Sequence, residues 1–161
     1  MKPETSSSTP ELIDAFEDMP ILNTFQTVER EFFTLEILSG KGYVRTSDEA
    51  KPFIENTCVA FGVGTESTVN QSPGHLIIAF KQPVRRIRFG CYRYNAEGTY
   101  PTLTYHYSTD ETFTTLIPPV PLWMEDYPAG DRRITQLEFY YPKQSDSRTY
   151  IVYLDNFTLY Q

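Results

Sequence analysis

Two histidines, two cysteines and one tryptophan are the scarcest side chains able to do chemistry, and their placement removes several reactions at once. His75 and His106 fall on separate strand-like runs, so no His pair has the i, i+4 spacing of a helical zinc site, and no Ser sits in a G-x-S-x-G elbow. Gly62-Val63-Gly64 opens like a dinucleotide fingerprint but lacks its third glycine. Ser72-Pro73-Gly74 stands where the phosphate-binding helix would begin. Asp110-Glu111 and Glu125-Asp126 are acid pairs in sequence only. Glycoside hydrolysis needs two carboxyls about 5–9.5 Å apart across a cleft, so these read as solvated loop acids. Nothing selects an enzyme. Cys58 and Cys91 are too few for a disulfide scaffold or a thiolate cluster. They read as buried free thiols, with a single disulfide as the alternative.

Binding chemistry is better represented. Arg85, Arg86, Arg88 and Arg93 form the one basic concentration. Strand alternation puts Arg86 and Arg88 on one face with Tyr92 and Tyr94. That face is either an exposed sheet surface on which Arg stacks on Tyr, or a polar-aromatic site for a sugar or an acidic group. A sugar site wants an aromatic ring under the C–H side of the pyranose and polar side chains at its hydroxyls. Trp123, Asp126 and Tyr127 in a Pro-rich stretch offer the same combination, unless Trp123 merely pins its own loop. Trp123, Tyr92, Tyr94, Arg88 and Asp126 are therefore the candidate ligand-binding residues, and no catalytic residue is assigned.

The elements that must position them follow from composition and period. The chain has 161 residues, a formal charge of -7 and 15% aromatic residues, enough for one domain with a sizeable core. The acidic balance opposes nucleic-acid binding, and no apolar run approaches the ~18 residues of a membrane helix. Residues 1–10 are polar and Ser/Thr-rich without an apolar stretch after Lys2, unlike a secretory signal peptide. They read as a flexible leader or linker ahead of a β-sandwich domain over 11–161. Period-two alternation predicts strands at Leu12–Phe16, Glu31–Leu38, Gly42–Thr46, Cys58–Val63, His75–Lys81, Val84–Tyr94, Thr102–Ser108, Arg133–Tyr141 and Tyr150–Tyr160. Gln82-Pro83 is expected to break one run. The stretch from Pro118 to Asp131 is expected to be a stiff loop rather than a strand. Eight or nine short strands without a helical period predict an all-β antiparallel sandwich or barrel. Phe33, Phe61, Phe80, Phe89, Phe139 and Phe157 fall at core-facing positions. Tyr92, Tyr94, Tyr100, Tyr105, Tyr107, Tyr140 and Tyr141 exceed what a core needs.

Three stretches in order add a resemblance: Asp14-Ala15-Phe16-Glu17-Asp18, Leu76 through Phe89 around Gln82-Pro83-Val84, and Val152-Tyr153-Leu154-Asp155-Asn156-Phe157-Thr158-Leu159. Together they resemble the galactose-binding-like jelly-roll family, which includes many carbohydrate-binding modules. The resemblance implies that the first strand lies beside the last and that a structural calcium sits between them. Glu17 and Asp155 would then supply carboxylate oxygens and nearby backbone carbonyls the rest, as calcium's six to eight hard oxygen ligands require. It also implies a non-catalytic module for glycan or polysaccharide, in a secreted or cell-surface setting. The alternative is a structural or protein-interaction domain of a larger secreted, surface or toxin-type protein.

Overall fold

The computed structural model describes residues 11–63, 72–95, 97–145 and 148–161. Among them it has no helix and thirteen strands: β1 (Glu11–Asp14), β2 (Leu22–Phe25), β3 (Thr27–Glu29), β4 (Phe33–Ser39), β5 (Lys41–Ser47), β6 (Asn56–Gly62), β7 (Gly74–Val84), β8 (Arg86–Arg93), β9 (Thr102–Tyr107), β10 (Thr112–Leu116), β11 (Leu122–Asp126), β12 (Ile134–Tyr141) and β13 (Ile151–Tyr160). Every pairing is antiparallel. One sheet runs β11-β8-β13-β6-β5-β2, with β1 added to β13; the other runs β10-β9-β12-β7-β4-β3. The two sheets form the expected sandwich, and the first strand does lie beside the last, Leu12 opposite Leu159 and Asp14 opposite Phe157.

The strand count exceeds the eight or nine expected because β2, β3 and β10 carry too few residues to show a period. Two local expectations also fail. The Pro-rich stretch is not all loop: Leu122–Asp126 is strand β11, and Trp123 lies opposite Gly90 of β8. Pro121 and Pro128 flank it, so they bound an edge strand rather than abolish it. Gln82-Pro83 likewise does not end β7, which continues to Val84. The β4 register stops at Phe80, so the N–H that Pro83 lacks is not needed there.

The core is a run of phenylalanines between the sheets. Phe89 stacks on Phe157 at 4.9 Å; Phe157 meets Phe16 at 5.7 Å and Phe33 at 5.4 Å; Phe139 meets Phe61 at 5.7 Å and Phe89 at 5.9 Å. All of these rings are buried, while Phe80 is half-buried at the margin. Tyr105, Tyr107 and Tyr141 are buried too, so the surplus of tyrosine is smaller than the sequence implied. Cys91 belongs to this core. Cys58 packs in a separate cluster with Ala50 and Ile54, and both thiols are free. Burial pushes each thiol up to about 12, which keeps it protonated and unreactive.

Truncating the ring shared by three neighbours should cost most. Phe157→Ala is expected to destabilise the fold by about 3–5 kcal/mol, measured by chemical denaturation, with an unchanged circular dichroism spectrum for the protein that remains folded.

Candidate functional site

The strongest local irregularity lies in β13. Its first half pairs with β6 and its second half with β1, and its register against β8 shifts between Asp155 and Thr158. The shift is a bulge at Asp155-Asn156, with Asn156 in the left-handed region at φ 52°. Asp155 is fully buried. Its Oδ2 accepts the Glu55 amide at 2.9 Å, and its Oδ1 accepts the Asn156 amide at 2.8 Å. Asn156 Nδ2 donates to the carbonyls of Pro52 and Phe53 at 3.2 and 3.1 Å. The Asp48–Glu55 segment is thereby held over the outer face of the seven-stranded sheet. Gly90 lies directly beneath it: a Cβ there would stand 1.8 Å from the Phe53 carbonyl oxygen. Asn156 also begins a glycosylation sequon, but the nitrogen a glycan would use is doubly engaged.

Beside this bulge lies a cleft of about 330 Å³ lined by Ile13, Pro52, Glu55, Arg88, Trp123, Asn156 and Thr158. The Arg88 guanidinium stands over the Trp123 ring at 4.1 Å, and Phe53 meets the ring edge-on at 5.3 Å. Arg88 makes no side-chain hydrogen bond among the described residues, because its neighbour Glu125 pairs with Arg86 instead. Ile13 is 64% exposed and supplies an apolar wall. The cleft thus combines an aromatic ring, an apolar side chain and uncommitted donors and acceptors.

The other candidate ligand residues are dispersed. Tyr92 stacks on Tyr153 at 5.9 Å under the Asp48–Glu55 segment, packed against the Cys58 cluster. Tyr94 is exposed just past β8. Asp126 accepts a hydrogen bond from the Tyr107 hydroxyl at 2.8 Å, and burial holds its carboxyl above the ordinary range. Arg88 and Trp123 are brought together; Tyr92, Tyr94 and Asp126 do not join them. Arg93, counted in the basic concentration but not placed on the Arg86–Arg88 face, is buried, donates to the Asn95 and Ile117 carbonyls and lies over Tyr100 at 4.2 Å.

Burial, against the two amide hydrogen bonds, pushes Asp155 up to about 7, and the charges of Glu17 and Glu55 add to the rise. Glu17 itself is exposed. Among the described residues no three His, Cys, Asp or Glu side chains converge as a metal cage. The donor chemistry nevertheless suits a hard cation: the charges of Glu17 and Glu55 add negative potential at Asp155, and no basic side chain is bonded to it. An ion here would rest on Glu17, Asp155, backbone oxygens and water, a calcium-like shell rather than a zinc-like one.

Sequence reasoning missed one cluster. On the outer face of the six-stranded sheet, His75 Nε2 and His106 Nε2 bond the two oxygens of Glu138 at 2.7 and 2.9 Å. Against burial, these bonds hold Glu138 below the ordinary carboxylate range. Period-two alternation placed each residue outward. Only the cross-strand register, Tyr140 opposite His75 and Gln136 opposite His106, shows that they meet around Glu138.

No protein-family model matches the chain, and no curated protein matches it in sequence. Among solved structures, an exo-beta-agarase matches 96% of this chain at 13% identity with a TM-score of 0.57. This chain spans about a quarter (26%) of that agarase's length. The resemblance read from the sequence holds at the level of fold: an antiparallel jelly-roll sandwich. A family 11 carbohydrate-binding module from Clostridium thermocellum, in complex with a mixed-linked tetrasaccharide, matches 87% of this chain and 94% of its own at 10% identity and a TM-score of 0.41. The module CBM36, in complex with calcium and xylotriose, matches 93% and 99% at 13% identity and 0.36. At such identities only fold is compared, and of these three the agarase alone is close enough to carry the comparison.

The two perturbed carboxylates set opposite pH dependences. Asp155, raised in the fold, keeps its proton when the unfolded chain has lost it. Its contribution is complete below the ordinary carboxylate range and is lost as pH rises to about 7. Glu138, lowered in the fold, contributes above the ordinary range and loses that contribution as pH falls through its own lower value. Melting curves across pH should therefore decline on the neutral side. Asp155→Asn should flatten that decline while lowering stability overall, because an amide oxygen cannot replace two carboxylate acceptors.

Proposed function

We propose that this domain is a non-catalytic glycan-binding module of a larger secreted or surface protein, and that it binds through the Arg88–Trp123 cleft. The observation that carries the reading is the cationic group over the Trp123 ring, with its N–H donors uncommitted, in a cleft walled by Ile13 and Pro52. A saccharide ring offers C–H surface for the indole and apolar wall. Its hydroxyls can accept from Arg88 and donate to Glu55 or the Asn156 side-chain oxygen. The Asp48–Glu55 segment is already fixed by Asp155 and Asn156, so little ordering remains to oppose binding. The agarase that shares the fold is a much longer chain, which agrees with a module attached to something larger.

A titration of the full chain against a glycan panel tests this. Trp123→Ala and Arg88→Ala should each weaken binding by about 1–3 kcal/mol, as aromatic and arginine hot spots do. Phe53 against Trp123 also favours a second reading, in which the ring merely pins the covering segment. In that case Trp123→Ala lowers the melting temperature and no glycan protects the parent.

Calcium at Glu17 and Asp155 belongs to the same proposal. It is supported by the raised Asp155 carboxyl, to which the charge of Glu17 contributes, and by the pairing of β1 with β13, Glu17 following β1 and Asp155 lying in β13. When bound, the ion would supply positive charge that holds Asp155 ionised. Calcium added to chelator-treated protein should raise the melting temperature, the added stability being about 2.7 kcal/mol at a hundredfold excess over its dissociation constant. It should also abolish the neutral-side decline in stability. An unchanged profile in millimolar calcium removes the metal role without touching the glycan reading.

A further inference from the structure

The five outer strands of the two sheets are protected unequally; β1, which pairs with β13 alone, is four residues long and carries Glu11 and Asp14. In the seven-stranded sheet, β11 carries Glu125 and Asp126 between flanking prolines, while β2 is four residues long with an irregular register. In the six-stranded sheet, β3 is three residues long and ends on Glu29, which pairs with Lys81 at 3.1 Å. Short length, charge and proline are the usual means of blocking edge-to-edge pairing. The remaining edge, β10, is as short as β11 but has neither charge nor proline within it. Thr112-Phe113-Thr114-Thr115-Leu116 is uncharged, free of Pro and Gly, and composed of good strand formers. Thr112, Phe113, Thr114 and Leu116 are exposed, the last with 57% of its surface in solvent.

The register fixes which backbone groups are free. β10 pairs with β9 so that Phe113 faces Tyr105 and Thr115 faces Leu103. The Tyr107 amide donates to the Glu111 carbonyl, and the Ile117 amide to the Pro101 carbonyl. Hydrogen-bonded pairs alternate along an antiparallel ladder. Phe113 and Thr115 therefore bond inward to β9, and the N–H and C=O groups of Thr112, Thr114 and Leu116 point to the open edge. That set is self-complementary about Thr114: a two-fold axis there sets Thr114 against its own copy and Thr112 against Leu116. Such a pairing gives about six interchain hydrogen bonds. It brings no charged side chains into opposition along β10, although the whole chain carries -7.

We propose that β10 is a self-pairing edge through which a second copy of this chain adds antiparallel, joining two six-stranded sheets into one. The contact is small beside the roughly 1,200–2,000 Å² of a stable interface, so association is weak and reversible. An isologous contact of this kind closes at two copies.

Sedimentation of the full chain from micromolar to millimolar concentration tests it. The expected result is a reversible monomer–dimer equilibrium, with the Thr112, Thr114 and Leu116 amides gaining exchange protection only in concentrated protein. Thr114→Pro removes an N–H that β9 does not use, and Thr114→Lys opposes two charges at the axis. Each should weaken association by at least about tenfold; each also removes the 2.8 Å Thr114–Thr104 hydroxyl bond, so the melting temperature of dilute protein should fall slightly, and no further than in Thr104→Val, which loses the same bond without touching the edge. If the proline variant does not fold, the lysine variant carries the test. A single-chain mass throughout, association surviving in the lysine variant, or growth beyond two copies overturns the proposal.

Discussion

On one side β13 changes neighbour part-way, because β6 ends where β1 begins, while β8 runs along its other side. The bulge at Asp155-Asn156 lies at that change. The extra residue breaks the ladder and exposes polar groups, which must then find partners away from water. Asp155 answers by accepting two backbone amides, and Asn156 by donating to two carbonyls of the Asp48–Glu55 segment. That segment in turn lies over Gly90, opposite which Trp123 stands. The cleft, its aromatic ring and the candidate cation position all sit around this one change of strand partner.

Buried or half-buried carboxylates are handled in contrasting ways, and the contrast locates the unusual site. Asp14 is gripped by Arg30 through two guanidinium hydrogen bonds at 2.7 and 2.8 Å, and Asp18 shares the same cation. Glu138 is clamped by two imidazoles. Each of these acids has an N–H partner that can carry positive charge. Asp155 has backbone dipoles alone, with Glu17 and Glu55 adding negative potential. A proton relieves it, and the proposed cation would compete with that proton for the same oxygens near neutral pH.

The architecture was legible because burial is periodic. Ile87, Phe89 and Cys91 alternate with Arg86, Arg88 and Tyr92 in the sequence and on the sheet alike. The pairing of the first strand with the last, which carries Asp155, was legible from the terminal motifs, although Phe16, one residue before Glu17, adopts a φ of 56° that no pattern signals. What stayed hidden depends on register. Strand β11 reads as loop because its prolines lie just outside it, and a five-residue edge strand carries too few alternations to outweigh them. The Glu138 cluster draws on three separate strands. The spread of Tyr92, Tyr94 and Asp126 away from Trp123 has the same origin. Shared face predicts orientation, whereas proximity requires the strand order and the covering segment.

If the proposed glycan site holds, Trp123 need not be either a structural pin or a binding residue, because its position would couple the two roles. Its edge contact with Phe53 helps hold the segment that walls the cleft, while the Arg88 guanidinium covers its ring. A ligand seated there touches both the sheet and the segment, so it binds the closed arrangement better than one in which the segment has lifted. By mass action, such a ligand suppresses local opening and raises the protection of the Asp48–Glu55 amides. The same linkage runs in reverse: loosening the bulge at Asp155-Asn156 reduces the fraction of molecules with a formed cleft and lowers apparent affinity in proportion. Changes that never touch a ligand, such as a side chain at Gly90, would then weaken binding by that route, without altering any group that contacts it.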